Sequence, residues 1–203
     1  MNGGSPGERE VIIILGKSRY GKSTWLGKFL VNKPSRFIFD PFRKQAASYF
    51  DAETLIEKHD NGDFQRPPYS VGSSAVEDVD LLSSIAFLNG NARTRPYFII
   101  EECAIAFYKG ERISDALQEA IFLGGHNWLS IVLVAQRAAS IPIELRSQAT
   151  RFVTFLQTEK KDIEWCRDYL GERFDELRTL AKGECLDWEN DSVSRYSIFL
   201  NGN

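Results

Sequence analysis

Gly16, Lys17, Ser18, Arg19, Tyr20, Gly21, Lys22 and Ser23, followed by Thr24, fit the spacing GxxxxGK[ST], a glycine-bounded turn that ends on an amine and a hydroxyl. That combination suits one task, holding a chain of phosphates. Glycine lets the turn wrap until successive backbone N–H groups point inward, and a following helix adds its positive dipole end, which together make an anion cradle for a β-phosphate. Lys22 is expected to reach the β- and γ-phosphates, Ser23 to ligate Mg²⁺, and Thr24 to lie near the α-phosphate. A second group, "YFIIEE", ends on Glu101 and Glu102. There Glu101 is expected to hold the metal through water, and Glu102 to polarise an attacking water. A Gly/Ser/Lys turn or a pair of solvated carboxylates is unremarkable alone, and each acquires meaning from the other.

These groups work only if buried strands aim them at one point. Val11 to Leu15 and Phe98 to Ile100 are short continuous apolar runs, the pattern of strands covered on both faces of a parallel sheet. Leu129 to Ala135 reads the same way, and Phe37 to Phe39 and Phe152 to Leu156 are further strands. Helical segments alternate with them: Lys22 to Val31, Asp51 to Lys58, Ala75 to Leu88, Ser114 to Leu123, Lys160 to Leu170 and Glu172 to Ala181. "KHDNGDFQRPPYS" and "LNGNARTRP" carry the Asn-Gly, Gly-Asn and Pro-Pro marks of loops. Two alternating stretches flank Asn190-Asp191, which predicts a terminal β-hairpin. The expectation is an α/β three-layer P-loop fold with a mainly parallel central sheet, helices on both faces and a C-terminal hairpin. Gln136, at the tip of "LSIVLVAQ", then matches the polar sensor that faces the γ-phosphate where an additional strand separates the Walker A and Walker B strands, as in RecA-like ATPases.

The bulk composition sets limits. A chain of 203 residues with 43% hydrophobic and 26% charged residues suits one globular domain, and no apolar run approaches the roughly 18 residues a membrane span needs. "MNGGSPGERE" has no apolar stretch of the secretory kind, so residues 1–9 read as a flexible leader and 10–203 as a single domain. A net charge of -3 argues against an all-over basic surface but permits a local cationic stripe. Cys103, Cys166 and Cys185 lie far apart without a CxxC pair, and only His59 and His126 could join them, so the cysteines read as structural thiols and not as a zinc site.

With these motifs in place, the stretch Gly124 to Gly171, "GGHNWLSIVLVAQRAASIPIELRSQATRFVTFLQTEKKDIEWCRDYLG", resembles the FtsK-HerA superfamily of DNA-translocating ATPases. The likeness lies in a small helix end, a strand, Gln-Arg, a short helix with "P..LRSQA", a further strand and an Asp-led helix. Together with the Walker A residues and "FIIEE" it spans most of residues 10–199. The short chain without fused domains is similar to the genome-packaging ATPases of membrane-containing icosahedral viruses. The resemblance implies a ring of subunits, usually a hexamer, with ATP and Mg²⁺ between neighbours and double-stranded DNA in the pore. It also implies a portal or capsid-vertex membrane protein as partner, and a place at the virion vertex or in the host cytoplasm. Two departures stand out. Glu101 sits where relatives have Asp, and the Gly-Arg-His turn that carries an arginine finger is here Gly124-Gly125-His126. Arg137 and Arg146 are the nearest replacements for that cation.

A pore that grips phosphates without reading sequence needs Lys or Arg on loops. "FYKGERIS" offers Lys109 and Arg112, and "GNARTRP" offers Arg93 and Arg95, by charge alone. Competing functions are a P-loop nucleoside or nucleotide kinase, a conjugation, secretion or filamentous-phage-assembly ATPase, and a non-catalytic module that ATP only switches. The two carboxylates and Gln136 favour water as the phosphate acceptor. "NKPS" lacks the Asp of a guanine-reading NKxD and follows the phosphate loop too soon, which disfavours GTP.

Overall fold

The computed structural model describes residues 9–107 and 113–199. β1 (Val11–Leu15) runs through a loop into α1 (Lys22–Leu30), followed by β2 (Ser35–Phe39), β3 (Ser48–Tyr49), α2 (Ala52–Asp60), β4 (Tyr69–Ser73) and α3 (Val79–Leu88). Next come β5 (Tyr97–Glu101), α4 (Cys103–Ala106), α5 (Asp115–Gln118), a π-helical turn at Glu119–Leu123, and β6 (Ser130–Ala135). The described chain ends with α6 (Ile143–Arg146), β7 (Arg151–Thr154), α7 (Lys160–Leu170), β8 (Glu184–Glu189) and β9 (Ser192–Ser197).

The nine strands among the described residues join one sheet in the order β3-β4-β2-β5-β6-β1-β7-β8-β9. Pairings are parallel up to β7, and β7–β8 and β8–β9 are antiparallel. β6 lies between β1 and β5, so the additional strand of the RecA-like arrangement is present. Register pairs Leu15 with Ala135 and Glu101 with Val134. Since the three strands are parallel, the residues after them, Gly16, Glu102 and Gln136, emerge together at the carboxyl end of the sheet, where ligands of open α/β sheets bind.

The unbroken apolar runs follow from burial on both sides. Along β1, Ile13 and Leu15 face a core with Leu55 of α2, Leu82 and Ile85 of α3 and Ile163, Cys166 and Leu170 of α7. Ile12 and Ile14 face the other core, where α1 supplies Trp25, Leu26 and Leu30. Helices cover both faces, and among the described residues α1 is the helix that packs on the second. Burying a large aliphatic side chain contributes about 1.5–3 kcal/mol, so these central strands anchor the fold. The terminal hairpin turns at Asn190 and Asp191, both at positive φ (50° and 57°), as a two-residue turn of primed type requires.

Several element boundaries differ from the sequence reading. β4 and β3 fall outside every predicted strand, and "KHDNGDFQRPPYS" begins within α2 and ends within β4. The helix expected at Glu172 to Ala181 is instead a 3-10 run over Gly171–Thr179. Leu177 is the sole buried residue of that run, too little to define an apolar α-helical stripe. Arg9 is partly buried, and its guanidinium donates to the Ile121 carbonyl.

Candidate nucleotide site

The loop after β1 is clamped at its base. Gly16 N–H donates to the Ala135 carbonyl at 3.3 Å, and Lys17 N–H to the Leu156 carbonyl at 3.0 Å, which fixes the loop between β6 and the continuation of β7. Gly21 has φ 122°, and a Cβ there would sit 2.6 Å from Ile198 Cδ1 and 3.0 Å from Phe155 Cε1, so only glycine fits. No side chain caps the start of α1 and no acidic residue lies in its first turn, which leaves its N–H groups and dipole end for an anion. Lys22 is buried, and its ammonium donates to the carbonyls of Gly16 at 2.6 Å and Lys17 at 3.1 Å. Burial pushes its pKa down to about 8, against the opposing pull of Glu102 and Glu101.

The acidic pair is placed by β5. Glu101 is 2% exposed and accepts from Gln45 Nε2 at 2.5 Å. Burial raises its carboxyl above the ordinary range, while the Gln45 hydrogen bond, the Lys44 charge and Ser23 draw it back down. Glu102 has left-handed backbone (φ 76°, ψ 69°), costly by about 1–3 kcal/mol for such a residue and typical of a side chain held for a function. Its Oε2 accepts from Gln136 Nε2 at 3.2 Å, so sensor and carboxylate are one hydrogen-bonded pair.

Ser18, Arg19, Gly21, Lys22, Ser23, Thr24, Glu101, Glu102 and Gln136 line a single cleft of about 300 Å³. Gly16 and Lys17 begin the loop without lining the cleft, and the Tyr20 carbonyl accepts from Gly183 N–H at 3.0 Å, which fastens the phosphate loop to the hairpin. The same cleft brings in Lys44, Lys182 and Phe199, which the sequence reading missed. Lys44 had a local signal, because an acid that closes an apolar run in "FIFDPFRK" resembles the tip of β5. Lys182 and Phe199 had none, since tertiary packing alone brings them there. A larger groove of about 720 Å³ runs between α3, α5 and α6, but none of these phosphate-site residues lines it.

The remaining candidates lie elsewhere. Arg137 turns from the cleft to pair with Asp162 (Nε to Oδ2, 2.5 Å) and more loosely with Glu159 (3.8 Å), and its side chain is half exposed. Arg146 donates to the carbonyls of Ile141 (3.0 Å) and Ala138 (2.9 Å) and lies 5.1 Å from the Trp165 ring, committed to its own fold. Arg93 and Arg95 precede β5 and therefore sit at the end of the sheet opposite the cleft, with Arg95 over Trp128. At that same end, a Cβ at Gly125 would come into ordinary contact with the Arg9 side chain, whose Cδ lies 3.4 Å away. Lys109 and Arg112 lie outside the described residues. Cys103, Cys166 and Cys185 are free and buried.

No protein-family model matches the chain, and no curated protein matches it by sequence. Solved structures do. The fold is similar to that of the genome packaging NTPase B204 from Sulfolobus turreted icosahedral virus 2 in complex with AMPPCP, at a TM-score of 0.76 and 19% identity over 97% of this chain and 100% of that one. It is similar to B204, the DNA-packaging ATPase from Sulfolobus turreted icosahedral virus, at 0.71 and 19% over 94% and 98%. VirB4 of Thermoanaerobacter pseudethanolicus matches at 0.62 and 12% over 98% and 92%. The likeness expected from the sequence is thus present in the fold, from end to end of the viral chains.

Proposed function

We propose that the protein is an ATP-hydrolysing motor of the FtsK-HerA type that moves double-stranded DNA and packages a viral genome into a preformed capsid. The observation that carries the reading is the convergence of the phosphate loop, the two carboxylates and the sensor glutamine at one end of a sheet with the inserted strand. Its fold runs the full length of a packaging NTPase crystallised with an ATP analogue.

In this reading the N–H groups of residues 16–24 and the ammonium of Lys22 hold the β- and γ-phosphates. The donors beside them, the Ser23 hydroxyl and the Glu101 carboxylate, are hard oxygens that suit Mg²⁺, which when bound would offset phosphate charge. Glu102, oriented by Gln136, accepts a proton from water as the water oxygen attacks the γ-phosphorus. The bond from that phosphorus to the bridging oxygen breaks, and ADP and inorganic phosphate leave.

Subunits in a ring, a hexamer by the resemblance, would place neighbouring surfaces at this cleft and DNA in the pore. Lys109, Arg112, Arg93 and Arg95 are the cations proposed to grip DNA. Arg137 would act across the interface only by exchanging Asp162 and Glu159 for a neighbour's γ-phosphate. A portal or capsid-vertex membrane protein remains the proposed docking partner, at the virion vertex or in the host cytoplasm. The likeness to VirB4 keeps a conjugation or secretion ATPase as a second reading of the same chemistry. ATPase turnover measured across protein concentration, with and without duplex DNA, tests the motor: it should rise with both. Turnover indifferent to DNA, or phosphate delivered to a nucleoside instead of water, would remove the motor reading.

A further inference from the structure

The loop between β2 and β3 is built around one buried acid. Asp40, fully buried, accepts from Phe42 N–H (3.1 Å), from Gln45 N–H (2.8 Å) and from the Tyr49 hydroxyl (2.8 Å). Gln45 then passes its side-chain amide to Glu101. The loop is thereby tied to the acidic wall of the cleft, and the residue before Gln45 lines that cleft together with Lys22. That residue is Lys44. Its ammonium lies 4.7 Å from the Phe42 ring centroid, and among the described residues it has neither an ion pair nor a hydrogen bond.

Two lysines that line one small cleft oppose each other's charge, and a polyanion between them would turn that repulsion into attraction. Strand order says which part of the polyanion. By strand order the lining runs from the β8–β9 side, where Lys182 and Phe199 stand, past the phosphate loop after β1 to β5 and then to the loop after β2. Lys44, at the β2 end, is therefore beyond the β-phosphate. On the nucleotide reading a triphosphate would reach it and a diphosphate would not.

Resting on the nucleotide reading above, we infer that Lys44 binds the γ-phosphate from within the same subunit, as a second cation beside Lys22. It meets charge that builds on the transferred group, while Arg137 and Arg146 are occupied by partners of their own fold. Hydrolysis in a single subunit then has a cation on the far side of the γ-phosphate without help from a neighbour.

Equilibrium binding of ADP and of the non-hydrolysable AMPPCP, each followed by fluorescence on the full chain, tests the assignment alongside single-turnover hydrolysis. Lys44 is exposed, so its replacement leaves the core intact. Lys44→Ala and Lys44→Gln should weaken AMPPCP about 10- to 100-fold, the range for a charge-assisted hydrogen bond, and shift ADP by less than about twofold. Lys44→Arg should restore most of the AMPPCP affinity. Equal loss for both nucleotides, or no loss for either, would overturn the role of Lys44 while the nucleotide site stands. A wild-type chain that binds neither nucleotide would overturn the site itself.

Discussion

The two walls of the cleft are made differently. On one side Lys22 opens α1 just past the loop that leaves β1, and the tips of β5 and β6 carry Glu101, Glu102 and Gln136, so each group ends or closely follows a buried parallel strand. On the other, Lys182 and Phe199 flank an antiparallel hairpin at the sheet edge, where Cys185 and Leu186 of β8 reach the two cores, β9 is mostly exposed, and side-chain hydrogen bonds tie the strands together. Arg151 of β7 grips Asp187 of β8 through two hydrogen bonds (2.9 and 2.7 Å), Tyr196 of β9 donates to the same carboxylate at 2.6 Å, and Trp25 of α1 donates to Tyr196 at 2.7 Å. The first wall supplies charge and chemistry. The second supplies shape. If the division is right, changes in the first wall should alter turnover and leave the fold intact, and changes in the second should alter stability or nucleotide fit and leave the chemical step intact.

The largest expected effects belong to the first wall and differ in kind. Glu102→Gln keeps the shape and the link to Gln136 but cannot take a proton, so turnover should fall about 10²- to 10⁴-fold while ATP still binds. Lys22→Ala removes charge from the cradle and should weaken ATP binding as well as hydrolysis, which nucleotide titration separates from the first case. Normal turnover in Glu102→Gln would remove Glu102 from the chemistry. Tight binding without turnover in Glu101→Gln would exchange the two carboxylate roles.

Next comes Arg151→Ala. Its guanidinium is largely buried beside Asp187, and its loss leaves a carboxylate that is 6% exposed with Tyr196 and no cation. Breaking a buried pair in this way costs about 3–5 kcal/mol, so the thermal midpoint should drop by several degrees while turnover per folded molecule stays near normal. An unchanged midpoint would mean that β8 and β9 do not depend on this grip.

The same contrast explains what the sequence disclosed. Val11 to Leu15 and the residues that follow are a local pattern whose meaning comes from strand, turn and helix in succession, so the phosphate loop, the acidic tip and Gln136 were legible before any coordinates. β4 was not, because "YSVGS" has little apolar content. It is buried by close backbone approach instead: a Cβ on Gly72 would lie 2.4 Å from the Ile38 carbonyl oxygen. Lys44, two residues beyond Phe42 on the loop after β2, enters the site through the hydrogen bonds of Asp40 and Gln45, contacts that composition and periodicity do not register. Charge alone nominated Arg93 and Arg95, yet charge has no address, and the topology sets them at the end of the sheet away from the nucleotide cleft.

Gly183→Ala probes how firmly the second wall is set. The residue has φ 85°, and a Cβ would fall 2.2 Å from the Phe199 ring, so the substitution strains the backbone and forces the half-exposed ring to swing. A loss of about 1–2 kcal/mol in denaturant unfolding is expected, smaller than for Arg151→Ala because the ring has solvent to move into. A neutral result would mean that the ring is not seated over Gly183.

The smallest effect is the one that tests the shape of the second wall directly. Phe199 lines the cleft from the hairpin side, beyond the phosphate loop, where ribose and base would lie, and aromatic stacking tolerates any base. Phe199→Ala should therefore weaken ATP and GTP by a similar factor, about fivefold, the low end for stacking because the ring is 54% exposed. Inorganic tripolyphosphate, which has no base to stack, should bind both proteins alike. The chemical step in single turnover at saturating ATP should not change, since neither Glu102 nor Gln136 touches this end. Equal weakening of tripolyphosphate would mean that the ring supports the phosphate loop through Gly183 and Tyr20, and the two walls would then be one.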